Sequence, residues 1–172
     1  MKKWIFGLVM SGFVLLLMGA CNRPSRVEEY RAEKHRMDSL RLEEQVRSMA
    51  YYEAQLDSLL PVSDSLIALF NYERNEKYQD HGFYVIKNEK LKIKNYEMRV
   101  MVRDDGKEVL AYKNGKRLTN EGVNELRENK NISQALDRAE HLQVVIRDIK
   151  ELEKRIYKTS LEISKYEKRL TK

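Results

Sequence analysis

The fold is decided by the stretch from Leu142 to Leu170, which reads LQVVIRDIKELEKRIYKTSLEISKYEKRL. Apolar side chains recur in it every seven residues, and a second series, apolar except for Thr159, occupies the intervening positions. This spacing over four heptads is typical of a coiled-coil helix. We therefore predict one helix from about residue 132 to residue 170, with a seam formed by Leu142, Val145, Ile149, Leu152, Ile156, Ile163, Tyr166 and Leu170.

A second helical region precedes the middle of the chain. Residues 27–60 contain neither Gly nor Pro and are rich in strong helix formers. Pro61 predicts a break after Leu60, and Ser63 or Asp64 can cap a shorter helix over residues 64–78. The apolar stripe that we predict for the first helix follows an imperfect 4-3 spacing and consists of Leu42, Val46, Met49, Leu56 and Leu60.

The middle of the chain changes to a β pattern. Residues 83–86 are β-prone, and residues 96–103 alternate as a half-buried strand does, with a break expected near Asn95. Asp105-Gly106 and Asn114-Gly115 are both signals for two-residue hairpin turns. We predict an antiparallel meander of three or four strands over about residues 83–119, followed by a short helical turn that Thr119 or Asn120 caps.

The first twenty residues have the features of a targeting segment. Lys2 and Lys3 precede an apolar run from Trp4 to Met18, which is shorter than the roughly 20 residues of a membrane-spanning helix. A basic start, a short apolar run and an exit through small residues indicate a secretory signal peptide. Residues 17–21, Leu-Met-Gly-Ala-Cys, resemble the lipobox of bacterial lipoproteins. That resemblance implies cleavage before Cys21, the only cysteine, and its modification by fatty acyl chains such as palmitate.

Charge and the residues after Cys21 bear on location and partners. The formal charge is +6, and it falls to +4 once the two lysines of residues 1–20 are removed. The remaining basic residues are interleaved with acids, which favours a solvated helix surface over a nucleic-acid interface. Asn22 stands where an aspartate would resemble an inner-membrane retention signal, and residues 22–26 contain no acidic cluster of the kind that resembles a Bacteroidota surface-export signal. We expect an outer-membrane lipoprotein facing the periplasm.

The predicted fold class is α+β, mainly α, in which two long coiled-coil-like helices flank a small antiparallel β-meander in an elongated molecule. The predicted divisions are a signal peptide (1–20), a lipidated tether (21–26), an N-terminal helical stalk (27–80), the meander (81–120) and a C-terminal coiled-coil helix (121–172). The two helices can close as an antiparallel hairpin within one chain, or the C-terminal seam can join two chains. We favour the hairpin slightly because it also buries the imperfect first stripe.

No catalytic or metal-binding motif is evident in the sequence. One cysteine excludes an intrachain disulfide, and the three histidines, at positions 35, 81 and 141, are far apart. We find no nucleophile elbow, HExxH motif or Gly-rich phosphate loop. We therefore expect a protein that is not an enzyme and that needs no cofactor or metal ion.

Three copies of the tripeptide Asp-Ser-Leu resemble the acceptor motif for O-glycosylation in exported Bacteroidota proteins. The resemblance implies Ser39, Ser58 and Ser65 as candidate glycosylation sites. The alternative is that these serines and aspartates are solvated helix or cap residues.

Two functions remain open from sequence alone. The first is a structural scaffold or accessory subunit of an envelope complex, for example a secretion-related one, that contacts envelope proteins and is held to the membrane by its lipid. The second is a periplasmic binding module in which a tyrosine-rich β head captures a glycan, peptide or cell-wall fragment. Its candidate residues are Tyr51, Tyr52, Tyr72, Tyr78, Tyr84 and Tyr96, for which ordinary packing between helices and sheet is the alternative explanation.

Overall fold

The computed structural model describes residues 25–74, 81–87, 91–93 and 96–171, so Cys21 and the signal segment lie outside the described residues. The chain is mainly helical with a small antiparallel sheet, which confirms the α+β class. The elements in chain order are α1 (Arg26–Ile67), β1 (Phe70–Arg74), β2 (Gly82–Ile86), β3 (Lys92–Ile93), β4 (Tyr96–Arg103), β5 (Val109–Lys113), β6 (Lys116–Arg117), α2 (Asn120–Leu126) and α3 (Lys130–Leu170).

Helix α1 continues through Pro61, so the predicted break at Leu60 and the separate helix over residues 64–78 are both wrong. The helix begins with a capping box, in which the Glu28 carboxylate accepts the Ser25 N–H at 2.8 Å and the Ser25 hydroxyl accepts the Glu28 N–H at 3.3 Å. Proline removes one backbone donor, but the inward spacing of Leu59, Ser63 and Leu66 continues unchanged across it. Packing on both sides therefore offsets the local cost of Pro61.

The inward face of α1 follows a regular heptad that the hydrophobic pattern does not reveal. Val46 and Leu60, which we predicted to be part of the stripe, are 50% and 43% exposed. Four members of the true face are polar or amphipathic, which explains why the prediction chose the wrong phase at those two positions. The buried and half-buried face with strict 4-3 spacing consists of Asp38, Leu42, Gln45, Met49, Tyr52, Leu56, Leu59, Ser63 and Leu66.

The sheet is larger than the predicted meander and begins earlier. Its five main strands lie in the order β1-β2-β4-β5-β6, all antiparallel, and the short β3 pairs with the start of β4. Phe70 faces Ile86 across β1 and β2, so residues 70–74 belong to the sheet rather than to the predicted stalk of 27–80. β3 ends at Ile93 and β4 begins at Tyr96, and the break expected near Asn95 lies outside the described residues.

The two predicted hairpin turns differ in length. Asn114 and Gly115 have φ values of 48° and 77° and join Lys113 directly to Lys116, which confirms the two-residue turn. The other turn is a four-residue loop, 104–107, because the Arg103 N–H bonds to the Glu108 carbonyl at 3.1 Å. Gly106 there has a φ of 69°, but Asp105 does not have a positive φ, so the predicted two-residue form is wrong.

The C-terminal half agrees with the predicted helices. Thr119 caps α2, its hydroxyl accepting the Gly122 N–H at 3.3 Å. Helix α3 then runs from Lys130 to Leu170 as a single helix. Its first four turns provide most of the helical side of the core.

Compact packing divides the chain into two units, one containing residues 1–44 and 163–172 and the other residues 45–162. The sheet and the whole core belong to the second unit. One face of the sheet, including the fully buried Val100 and Val102, packs on Ile132, Leu136 and Leu142 of α3. A smaller cluster on the other face contains Phe83, Val85, Met101 and Leu110, with Tyr112 against it.

Candidate functional site

The most connected group of polar side chains lies where loop 104–107 meets the start of β2. We call it the turn cluster, and it comprises Tyr72, His81, Arg103, Asp104 and Asp105. The pairing of the strands brings these residues together. Strand β2 lies between β1 and β4, so its first residue, Gly82, lies beside the end of β4. The cluster belongs entirely to the unit of residues 45–162.

Asp104 connects three parts of this cluster. Its Oδ2 accepts the Gly82 backbone N–H at 2.7 Å and the Tyr72 hydroxyl at 3.1 Å. Its Oδ1 lies 3.3 Å from His81 Nδ1. One carboxylate thus joins β1, the start of β2 and the loop after β4.

Asp105 is the most buried acid of the loop, with a side chain only 8% exposed. Its Oδ1 accepts the Arg103 Nε–H at 2.7 Å and the Lys107 backbone N–H at 3.0 Å. Burial alone would raise the pKa of Asp105, but these two hydrogen bonds and the charges of Arg103 and Lys107 lower it to about 2. Arg103 continues the network by donating to Glu108 at 3.1 Å.

Tyr72 of the turn cluster and its neighbour Tyr84 stay protonated at neutral pH. The rings of Tyr72 and Tyr84 lie 5.3 Å apart and are tilted by 59°. Desolvation raises the pKa of both phenols, and the hydrogen bond with Asp104 adds to the effect at Tyr72. Asp105 is therefore ionised near pH 7 and accepts hydrogen bonds, while the protonated Tyr72 donates its hydroxyl hydrogen to Asp104.

A groove of about 330 Å³ lies between α1 and α3 within the second unit. Leu59 and Leu152 give it an apolar floor, while Gln55, Ser58, Asp148, Glu151 and Arg155 provide its polar lining. Arg155 donates to Glu151 at 3.3 Å, and its guanidinium also lies 5.8 Å from the centre of the Tyr52 ring. The groove thus combines an apolar surface with a charged lining in which two acidic residues, Asp148 and Glu151, outnumber the one basic residue, Arg155.

The predicted site residues are placed in different parts of the chain. Cys21 lies outside the described residues. Ser39, Ser58 and Ser65 are all exposed on α1. The Ser58 hydroxyl donates to the Gln55 carbonyl at 2.7 Å, and the Ser65 hydroxyl donates to the Pro61 carbonyl at 2.8 Å. Serine side chains inside helices commonly form such bonds to the preceding turn. Their glycosylation stays a prediction.

The predicted seam lies on the inward side of α3. In the second unit Leu142, Val145 and Leu152 are buried, whereas Ile149 and Ile156 are half-buried. In the first unit the three remaining members are half-buried, namely Ile163, Tyr166 and Leu170. Whether this seam contacts a second copy stays a prediction.

The tyrosines do not assemble into one platform in the part of the chain that the structure describes. Tyr51 and Tyr52 form one ring pair on α1 at 5.8 Å, and Tyr72 and Tyr84 form another in the sheet. Tyr96 is half-buried against the core, with Lys113 Nζ 4.3 Å from its ring centre. Tyr78 lies outside the described residues.

Sequence reasoning missed the turn cluster as a network. Asp104-Asp105-Gly106 was interpretable only as a turn, since the partners Tyr72, His81 and Gly82 lie more than twenty residues earlier. The register of β1, β2 and β4 brings them together, and no local spacing signals that register.

Comparison with known protein families, curated proteins and solved structures gives no match to this chain. Across the described residues, no helix combines the length and apolar character needed to cross a membrane. The same residues contain no group of three or more His, Cys, Asp or Glu side chains placed to hold a metal ion.

Proposed function

We propose that this chain is a lipid-anchored envelope protein that acts, without catalysis, as a structural scaffold or accessory subunit of an envelope complex, a secretion apparatus being one such complex. The observation that carries the proposal is the single cysteine at the end of a signal-like segment, in a sequence resembling a lipobox. A thiol that is exported alone has no disulfide partner, so acylation gives it a use. The predicted location is the periplasmic face of the outer membrane.

The heptad faces of the two long helices support the scaffold part of the proposal. We propose that α1 and α3 pair antiparallel, as a coiled-coil-like hairpin. In the second unit Arg155 lies over Tyr52, and Gln55, Ser58 and Leu59 share a groove with residues of α3. In the first unit Arg169 Nη1 lies 3.7 Å from Asp38 Oδ1. Asp38 precedes Tyr52 by two heptads on α1, whereas Arg169 follows Arg155 by two heptads on α3. Equal steps in opposite chain directions are what antiparallel pairing requires.

The anchor is tested with Cys21→Ala in the full-length protein expressed in a bacterium. We expect the native protein to lose residues 1–20, to gain fatty acyl chains at Cys21 and to fractionate with the outer membrane. The variant should lack the acyl mass, keep residues 1–20 and leave the outer-membrane fraction, because the resemblance makes cleavage depend on Cys21. Acyl-free native protein, or a Cys21→Ala variant that still fractionates with the outer membrane, would contradict the anchor.

The scaffold role is tested by crosslinking in intact cells followed by purification of the lipoprotein. We expect reproducible crosslinks to envelope proteins, and the matched control is the Cys21→Ala variant, which has the same fold but the wrong location. Sedimentation of the purified protein decides between the intrachain hairpin and a dimer through the α3 seam. A monomer that retains no envelope protein would count against the scaffold role.

The alternative function is a binding module, and the exposed ring of Tyr72 is the observation that favours it. Tyr72 is 56% exposed beside Tyr84, whereas Tyr84 and Tyr96 pack partly against the core. A glycan or cell-wall fragment would stack on Tyr72, so Tyr72→Ala should abolish its capture, while Tyr51→Ala on α1 should not. Calorimetry measures the binding of peptidoglycan fragments to the two variants. The alternative requires that Tyr72→Ala abolishes this binding and that Tyr51→Ala leaves it unchanged.

A further inference from the structure

The first four turns of α1 have an exposed stripe that contains three apolar and two basic residues. Val27, Tyr30, Lys34, Met37 and Arg41 follow one another at spacings of three and four residues, so they lie along one side of the helix. We call these five residues the basic–apolar stripe. All are exposed, and the three apolar members are 59%, 70% and 41% exposed in chain order.

The stripe borders the inward face of α1 but shares no residue with it. The inward face begins at Asp38 and Leu42, which belong to the other heptad positions. Asp38 is 6% exposed and lies beside Arg169, so its charge is turned away from solvent. None of the four acidic residues between positions 26 and 41 occupies the stripe; they are Glu28, Glu29, Glu33 and Asp38.

We infer that the basic–apolar stripe lies against the surface of an anionic lipid bilayer. This inference rests on the proposed lipid anchor, because only four residues lie between Cys21 and Arg26 and the five steps of chain that join them reach at most about 18 Å. The first turn of α1 is therefore held within reach of the bilayer surface. A helix that lies on a membrane places aromatic and aliphatic side chains at the headgroup boundary and its lysines and arginines at the phosphates.

Charge complementarity selects lipid as the occupant. Lys34 lies between Tyr30 and Met37, and Arg41 follows Met37 one turn later, which matches a surface of anionic headgroups over a thin apolar layer. The stripe extends over about 21 Å of helix, and its apolar area is too small for independent anchoring. With the anchor supplying a high local concentration, weak contacts are sufficient. The stripe thus sets how α1 lies on the membrane, while the acyl chains keep it there.

The test places a tryptophan at position 30 by Tyr30→Trp in the processed lipoprotein, where it is the only tryptophan because Trp4 leaves with residues 1–20. The purified protein is reconstituted in vesicles of phosphatidylglycerol and phosphatidylcholine whose acyl chains are brominated near the headgroup. We expect the fluorescence at position 30 to shift to shorter wavelength and to be quenched. Lys34→Glu with Arg41→Glu should weaken the contact roughly 30-fold or more and abolish the quenching.

The matched control is Arg31→Glu with Arg36→Glu, which changes the net charge equally but leaves the stripe intact. Its quenching should equal that of the parent, and phosphatidylcholine vesicles without phosphatidylglycerol should give less. Vesicle-bound protein whose tryptophan stays unquenched would overturn the inference, as would equal losses in the two double variants. Such an outcome would also point to a protein as the partner of this face. Mass spectrometry of Cys21 on the same samples reports the anchor separately, so the two proposals fail independently.

Discussion

The ring of Tyr72 occupies the space into which a side chain at position 82 would project. A Cβ atom added to Gly82 would lie 2.0 Å from the Tyr72 hydroxyl oxygen and 2.2 Å from the carbon that bears it. Glycine is therefore needed at the start of β2 because a neighbouring strand places an aromatic ring over it. The same hydroxyl donates to Asp104, so ring position and loop position are coupled.

We expect Gly82→Ala to destabilise the protein by about 1 kcal/mol, since Tyr72 must swing away and give up its hydrogen bond to Asp104. In a Tyr72→Ala background the same change should be neutral or stabilising, because alanine suits a strand better than glycine does. A double-mutant cycle by urea unfolding measures the difference. Equal costs in both backgrounds would show that something other than Tyr72 restricts position 82.

Asp104→Ala should cost about 1–3 kcal/mol, because it leaves the part-buried Gly82 N–H without its acceptor and releases Tyr72. Asp137→Ala is the matched control, since its 60% exposed carboxylate pairs with Arg127 on the surface. Exposed pairs of that kind contribute about 0–1 kcal/mol. Chemical unfolding followed by circular dichroism compares the two variants, and an equal loss in both would refute the special role of Asp104.

Asp105 should make the folded state sensitive to strong acid. Its pKa is about 2 in the folded chain against an ordinary value of 3.8, so the folded state favours the carboxylate. That contribution is complete above about pH 4 and disappears as the pH falls through 2, a loss of about 2 kcal/mol. Asp105→Asn should be less stable at pH 5 and less dependent on pH between 5 and 2. Parallel pH profiles for the native protein and the variant would contradict the assignment.

Leu56 and Leu60 of α1 both belong to the predicted stripe, but only Leu56 lies on the inward face. Leu56 is half-buried on the inward face, whereas Leu60 is 43% exposed. We expect Leu56→Ala to cost about 1–2 kcal/mol and Leu60→Ala less than about 0.5 kcal/mol. Thermal unfolding of the two variants, each against the native protein, gives the comparison. A greater loss of stability in Leu60→Ala than in Leu56→Ala would show that Leu60 packs on the inward side of α1, as predicted from the sequence.

The regular elements were largely predictable from sequence, whereas the candidate site was not. The seven-residue repeat of 142–170 and the absence of helix breakers before Pro61 indicated both long helices, and Asn114-Gly115 specified its turn. The predicted break at Pro61 was wrong because the cost of proline in a helix is visible in the local sequence. The packing of Leu59, Ser63 and Leu66, which offsets that cost, depends on tertiary contacts. Val46 and Leu60 were wrongly assigned to the buried stripe of α1. The inward face includes the polar residues Asp38, Gln45 and Ser63, and their burial depends on tertiary contacts.

The sequence by itself determined the helical periodicity, the α+β class and the position of the β region, since these follow from local propensity and from the spacing of apolar residues. Only the tertiary structure decided that Phe70–Arg74 joins the sheet and that Asp104 meets Gly82 and Tyr72. The two contacts of Asp104 connect residues 22 and 32 positions apart in the chain. Their geometry is set by strand register, and one residue of slip would move every side chain to the other face of the sheet.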